Sequence, residues 1–191
     1  MATKYKARSN NDSSGGKFAA GAAGFGLGLL AAVGRRAAVQ AITAVAGDWF
    51  DGLKAEHKLA MTLMEAMEKT SEADVKKRAA MLLSLQHMLG KHAIQEEDVI
   101  YCALRALGDV NDANELGNEH NAEVKQGLYD LEQIDKASPA WVARLTQLKN
   151  DIAAHVQKEE DEVFPKLRAK LTPEENKKLT VRMNFEGFKV A

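Results

Sequence analysis

A seven-residue pattern of metal-binding side chains, H-x-x-x-E-E-D, occurs twice in the chain. The copies begin at His92 and His155, and each is followed by an aromatic residue within a few positions. In a helix, a histidine and the glutamate four residues later lie one turn apart on the same face. A single H-x-x-x-E is usually a surface pair, but two copies of the longer pattern indicate a metal site.

Both copies belong to a longer repeat with an offset of 63 residues. A histidine precedes each pattern by 35 residues, and apolar positions on the helices match at the same offset. The chain is therefore a duplicated helix pair with one histidine on each of four helices. Four imidazoles and two carboxylates in an apolar interior are costly to desolvate unless a metal binds them. The predicted ligands are His57, His92, Glu96, His120, His155 and Glu159. Such a set suits iron or manganese better than structural zinc.

Helix signals place these residues on long amphipathic elements. Asp48 predicts the start of a helix to about residue 70, and Ser71 with Asp74 predicts a capping box that opens a second helix to about residue 107. A third helix is predicted over 113–134, and Ser138-Pro139 opens a fourth that reaches about residue 171. A short C-terminal helix and an irregular tail follow. We expect an all-α, up-down-up-down four-helix bundle.

Composition and charge limit the functional classes. The 191 residues suffice for about one domain, with a net charge of −1. Residues 1–47 carry six basic residues and one acidic residue, so the remainder is acidic and does not suit nucleic-acid binding. The only cysteine, Cys102, excludes an internal disulfide and fits a cytoplasmic protein.

Residues 1–47 are predicted to lie outside the bundle, as a flexible tail followed by a Gly/Ala-rich apolar arm. Three interpretations of residues 18–47 stay open: a helical arm that packs on its own domain or on a partner, membrane association, and a cleaved signal. The predicted organisation is an arm over 1–47, a bundle over 48–171, and a C-terminal helix and tail over 172–191.

The order of these motifs resembles that of the hemerythrin-like, HHE cation-binding family. The chain has a histidine, then H-x-x-x-E, a third histidine, and H-x-x-x-E-E followed by Phe164-Pro165. The resemblance covers about residues 48–170. It implies two iron ions (Fe²⁺/Fe³⁺) in a four-helix bundle, bridged by two carboxylates and an oxo or hydroxo group. Family roles include oxygen binding or sensing, iron handling, and responses to peroxide or nitric oxide.

The resemblance also implies how the ligands divide. His57 and His92 would hold one iron, and His120 and His155 the other. Glu96 would bridge them, together with Glu159 or Glu160; the repeat supports Glu159.

One position departs from the oxygen carriers of the family. They have a second histidine one turn after the histidine of the third helix, where this chain has Val124. The change leaves an open site or room for Glu123, and it favours activation of oxygen or peroxide over reversible carriage.

Neighbouring residues carry weaker expectations. Tyr101 is expected in the core, or beside the metals as a hydrogen-bond donor, redox participant or ligand. Glu56 and Glu119 adjoin ligand histidines and point about 100° away, which suits solvent or a helix edge. Glu97 is expected on a solvated acidic face.

The sequence thus predicts a protein that binds or senses oxygen, peroxide or nitric oxide. The alternatives are a di-iron oxidase or peroxidase with true turnover, and an iron storage, delivery or structural protein.

Overall fold

The computed structural model describes residues 47–190, and all regular structure within that range is helical. This confirms the all-α prediction. The predicted arm lies outside the described residues, apart from Gly47. Five helices follow one another, and α2, α3 and α4 each contain a π-helical segment in the middle. The bounds are α1, Trp49–Glu68; α2, Val75–Gln95, Glu96–Ile100 and Tyr101–Ala106; α3, Val110–Glu119, His120–Lys125 and Gln126–Gln133; α4, Pro139–Lys158, Glu159–Val163 and Phe164–Lys170; α5, Pro173–Val190.

Two of the predicted helix starts are confirmed by their caps. The Asp48 carboxylate accepts the Phe50 N–H at 3.1 Å, and the Ser138 hydroxyl accepts the Ala140 N–H at 3.2 Å. The start of α2 differs from the prediction. The Asp74 carboxylate accepts the N–H and hydroxyl of Ser71, both at 2.8 Å, so that the helix begins only at Val75.

The C-terminal helix is longer than predicted, and the prediction of an irregular tail after it is wrong. α5 runs through 18 residues and buries Met183 against the bundle. The Trp49 indole N–H donates to Asn176 Oδ1 at 2.8 Å, and the Trp49 backbone N–H donates to Thr180 Oγ1 at 2.9 Å. These tertiary contacts stabilise a helix whose own sequence pattern is weak.

The π-helical segments begin at predicted ligands, namely Glu96, His120 and Glu159. In such a segment an N–H bonds to the carbonyl five residues earlier, and the N–H groups of Tyr101 and Phe164 bond to the carbonyls of Glu96 and Glu159 in this way. The turn after Glu96 brings the Tyr101 hydroxyl within 3.5 Å of Glu96 Oε2. The sequence pattern alone did not predict this.

The apolar core consists of two clusters separated by a polar layer. One cluster surrounds Trp49 and Phe164, and the other surrounds Leu85 and Trp141. Along α1, for example, His57 lies between a residue of the first cluster and one of the second. The candidate site is thus enclosed by apolar packing above and below.

None of the helices within residues 47–190 combines the length and apolar character that a membrane span requires.

Candidate metal centre

Two groups of three buried residues lie close enough to hold metal ions. One consists of His57, His92 and Glu96, and the other of Glu96, His120 and His155; within each, the donor atoms lie within 4.8 Å of one another. Glu96 belongs to both, because its Oε1 is 3.1 Å from His92 Nε2 and its Oε2 is 3.2 Å from His120 Nε2. A single carboxylate therefore connects the two histidine pairs.

Glu159, on α4, also lies near one histidine of each pair. Its Oε2 lies 3.5 Å from His57 Nε2, and its Oε1 lies 3.4 Å from His155 Nε2. The structure thus brings all six predicted ligands into one layer.

The cluster contains polar atoms that a cation would satisfy. Glu96 Oε1 and Glu159 Oε2 are buried and have no aligned hydrogen-bond partner among the described residues. The Nε2 atoms of His57 and His92 lie 2.9 Å apart, so both imidazoles point to the same place. Unsatisfied buried carboxylate oxygens are costly. The mixed nitrogen and oxygen donors therefore fit a bound cation.

The outward-facing Nδ1 of each cluster histidine faces a further carboxylate, and in three of the four pairs the two atoms are within hydrogen-bond distance. The Nδ1–carboxylate distances are 3.1 Å for His92–Glu56, 2.8 Å for His155–Glu119, 2.8 Å for His57–Glu160 and 3.6 Å for His120–Glu97. These four pairs obey the 63-residue repeat. The three hydrogen-bonded carboxylates fix the orientation of His57, His92 and His155 and leave Nε2 as the inward metal donor, whereas His120 Nδ1 has no hydrogen-bond partner among the described residues.

These four carboxylates correct part of the sequence interpretation. Glu56 was expected at solvent or a helix edge but is buried, and Glu119 and Glu97 also face histidines. Glu160, the alternative bridge, lies on the outer side of His57 instead of between the histidine pairs. The repeat already paired Glu56 with Glu119, and this was the signal that could have identified both.

Tyr101 is the main break in the symmetry of the centre. Its hydroxyl donates to Glu159 Oε1 at 2.7 Å and lies 3.5 Å from His155 Nε2. The equivalent residue in the other half is Phe164, which packs in the apolar core. The hydroxyl thus lies between the two carboxylates of the cluster, closer to Glu159 than to Glu96 Oε2 at 3.5 Å, and the other half of the repeat has no equivalent hydroxyl.

The remaining predicted positions lie apart from the donor atoms. Glu123 is exposed and belongs to neither group of three residues. Val124 is buried and lines a cavity of about 80 Å³ beside the four histidines. Most of the other lining residues are apolar, including Ala60, Leu128 and Ile152. This cavity has room for a small molecule next to the imidazoles.

The charges of the cluster favour protonated histidines. Burial acts to lower the histidine pKa values, but Glu96, with Glu56 for His92 and Glu97 for His120, raises the pKa of each imidazole to about 10. Burial acts to raise the pKa of Glu96, yet the surrounding histidines hold it well below its ordinary value. Protons and metal ions therefore compete for the same imidazole nitrogens.

Comparison with known proteins places the chain in a family. The hemerythrin HHE cation-binding domain matches residues 50–167, and the chain belongs to that family. A DNA nickase of Nostoc sp. strain PCC 7120 is 28% identical over 102 residues, which are 53% of this chain and 29% of that protein. The chain thus covers less than a third of that relative. No solved structure matches.

Proposed function

We propose that this chain is a non-haem di-iron protein that binds or senses oxygen, peroxide or nitric oxide. The observation that carries the proposal is one buried carboxylate, Glu96, shared by two histidine pairs. Bound iron would supply the redox chemistry for small oxidants. His57 and His92 would hold one ion, and His120 and His155 the other.

The surrounding residues support this function by positioning and by excluding water. The outer carboxylates orient the imidazoles, and Tyr101 holds Glu159 through its hydroxyl. Apolar clusters on both sides of the layer limit access by bulk water. The adjoining cavity suits an uncharged molecule of a few atoms better than a large or charged substrate.

The packing of the helices supports an up-down-up-down bundle. Each of the first four helices contacts its neighbour in sequence, and α1 also contacts α4. Connections of a few residues join them, which suits antiparallel neighbours. We infer that the four ligand-bearing helices close a ring around the metal layer, with α5 packed outside.

A second candidate function is an oxidase or peroxidase with true turnover. It is favoured by Val124, which supplies no donor where the oxygen carriers of the family have a histidine, and by the Tyr101 hydroxyl beside Glu159. A binding protein should form a stable complex with nitric oxide or oxygen. A catalyst should consume peroxide and a reductant over many cycles without losing its iron.

The chain is similar to part of a DNA nickase, which raises the question of whether it cleaves DNA. The acidic bundle is unsuited to DNA, and we infer that the likeness reflects a common cation-binding domain. Iron-loaded protein should leave supercoiled plasmid intact. If the wild-type protein converts the supercoiled plasmid to the open-circular form and His155→Ala does not, this inference is wrong.

Filling the cavity tests the proposed binding function. Val124→Phe places a ring against the imidazoles, so nitric oxide binding to the ferrous protein should slow at least about tenfold while the iron content stays unchanged. Val181→Phe, at an exposed position on α5, is the matched control and should bind at the wild-type rate. Equal rates in all three proteins, measured by stopped-flow absorbance, would contradict the assignment of this cavity.

A further inference from the structure

The four outer carboxylates differ in the lysine that accompanies each of them. The Nζ–carboxylate distances are 2.5 Å for Lys91–Glu56, 3.4 Å for Lys158–Glu119, 3.5 Å for Lys54–Glu160 and 3.2 Å for Lys125–Glu97. Only the first of these four lysines is buried: Lys91 is 5% exposed, whereas the side chains of the other three are 25–53% exposed.

The buried lysine has no equivalent in the other half of the repeat. The residue 63 positions after Lys91 is Ala154. Lys91 holds one oxygen of Glu56, and the other oxygen accepts the His92 Nδ1–H. The His57–His92 half of the cluster therefore carries a buried cation one carboxylate away from a ligand histidine, whereas the lysines beside the outer carboxylates of the His120–His155 half are partly exposed.

Burial determines how strongly such a cation acts. Partly exposed lysines are screened by water and salt, so their effect on the cluster is small. A cation in the low-dielectric interior acts over a longer range and opposes the addition of positive charge nearby. It also withdraws negative charge from Glu56, which makes His92 a weaker donor to a metal.

We propose that Lys91, acting through Glu56, makes the two metal positions inequivalent. It is a positioning residue that favours the ferrous state at the His57–His92 position, which becomes the more easily reduced of the two. The inference rests on the proposed di-iron function and goes beyond it by assigning an order of reduction to the two halves.

A redox titration of the iron-loaded protein, followed by its visible spectrum, tests this order. The wild-type protein should reduce in two steps. Lys91→Met removes the cation and should move the higher-potential step to lower potential, and ferric iron should resist a chelator about tenfold better. Glu56→Gln keeps the cation but removes the carboxylate charge, so that the same step should move to higher potential. The double variant should fall between the single variants.

Lys158→Met is the matched control, because this partly exposed lysine accompanies Glu119 in the other half. It should shift the steps much less than Lys91→Met. Equal shifts in the two lysine variants, or no shift in either, would overturn the inference. If Lys91→Met does not fold, comparing the double variant (Lys91→Met with Glu56→Gln) with Glu56→Gln alone measures the same loss of charge. An unchanged higher-potential step between these two variants would also overturn the inference. Failure of the wild-type protein to bind iron would overturn the proposed function itself. Iron binding with unchanged reduction steps in the lysine variants would overturn only the inference about Lys91.

Discussion

Glutamine substitutions at Glu159 and Glu160 separate a metal ligand from an orienting carboxylate. Both residues are adjacent on α4, and either could be the second bridge on sequence grounds. Glu159 is fully buried and lies near a histidine of each pair, with one oxygen lacking an aligned partner. Glu160 is partly exposed and accepts the His57 Nδ1–H at 2.8 Å. The two substitutions should therefore differ greatly in their cost.

The expected loss of iron affinity depends on which contacts the glutamine amide of each variant can still make. Removing one partner of a buried charge interaction costs about 3–5 kcal/mol, and each 1.4 kcal/mol is about tenfold. Glu159→Gln should thus weaken binding of at least one iron by about two to three and a half powers of ten. In Glu160→Gln the amide oxygen still accepts the histidine N–H, so the loss should be about tenfold.

Competition with a chelator, monitored by iron content and the visible spectrum, measures both affinities. If Glu160→Gln loses its iron and Glu159→Gln retains it, the bridging role belongs to the partly exposed residue and the assignment of Glu159 is wrong.

Three further predictions follow from the same contacts. His155→Ala should abolish the visible bands of the iron-loaded protein, whereas His87→Ala, at an exposed position outside the cluster, should leave them unchanged; similar spectra would contradict the ligand assignment. The pKa values of His92 and His120, raised from 6.5 to about 10, should stabilise the metal-free fold fully below pH 6.5 and progressively less as the pH rises through about 10. Urea unfolding of chelator-treated protein at pH 6.5 and 9.5 measures this, and higher stability at pH 9.5 would oppose it. Arg78→Ala should lower the free energy of unfolding by about 3 kcal/mol, because this buried guanidinium donates to carbonyls from two connections; a loss below about 1 kcal/mol in urea would be contrary.

Much of the helical fold could be predicted from sequence because its signals are local. Asp48 and Ser138 are strong caps, and apolar residues recur at helical spacing along each element. The length of α5 could not be predicted in this way, because its later turns depend on contacts such as Trp49 with Asn176. A periodicity argument does not include packing against a distant element.

The candidate site was predictable where a repeat fixed the residue types, and less so where helix geometry departs from the ideal. The spacing of His92 and Glu96 placed both on one face. The expectation for Glu56 was wrong because a side chain about 100° around the helix from His57 was assumed to face solvent, whereas Glu56 is buried. On α1 that direction faces His92 of the neighbouring helix. The π-helical turn after Glu96 brings the Tyr101 hydroxyl to the polar layer, which is the second of the two places expected for Tyr101, and the sequence pattern could not choose between them.

The central claim is that Glu96 joins two histidine pairs into a site for two iron ions. The most direct measurement is the iron content of the purified protein, together with its visible and near-ultraviolet spectrum before and after addition of peroxide. We expect two irons per chain and near-ultraviolet bands of an iron pair that peroxide alters. Fewer than about one iron per chain after reconstitution, with no such bands, would contradict it.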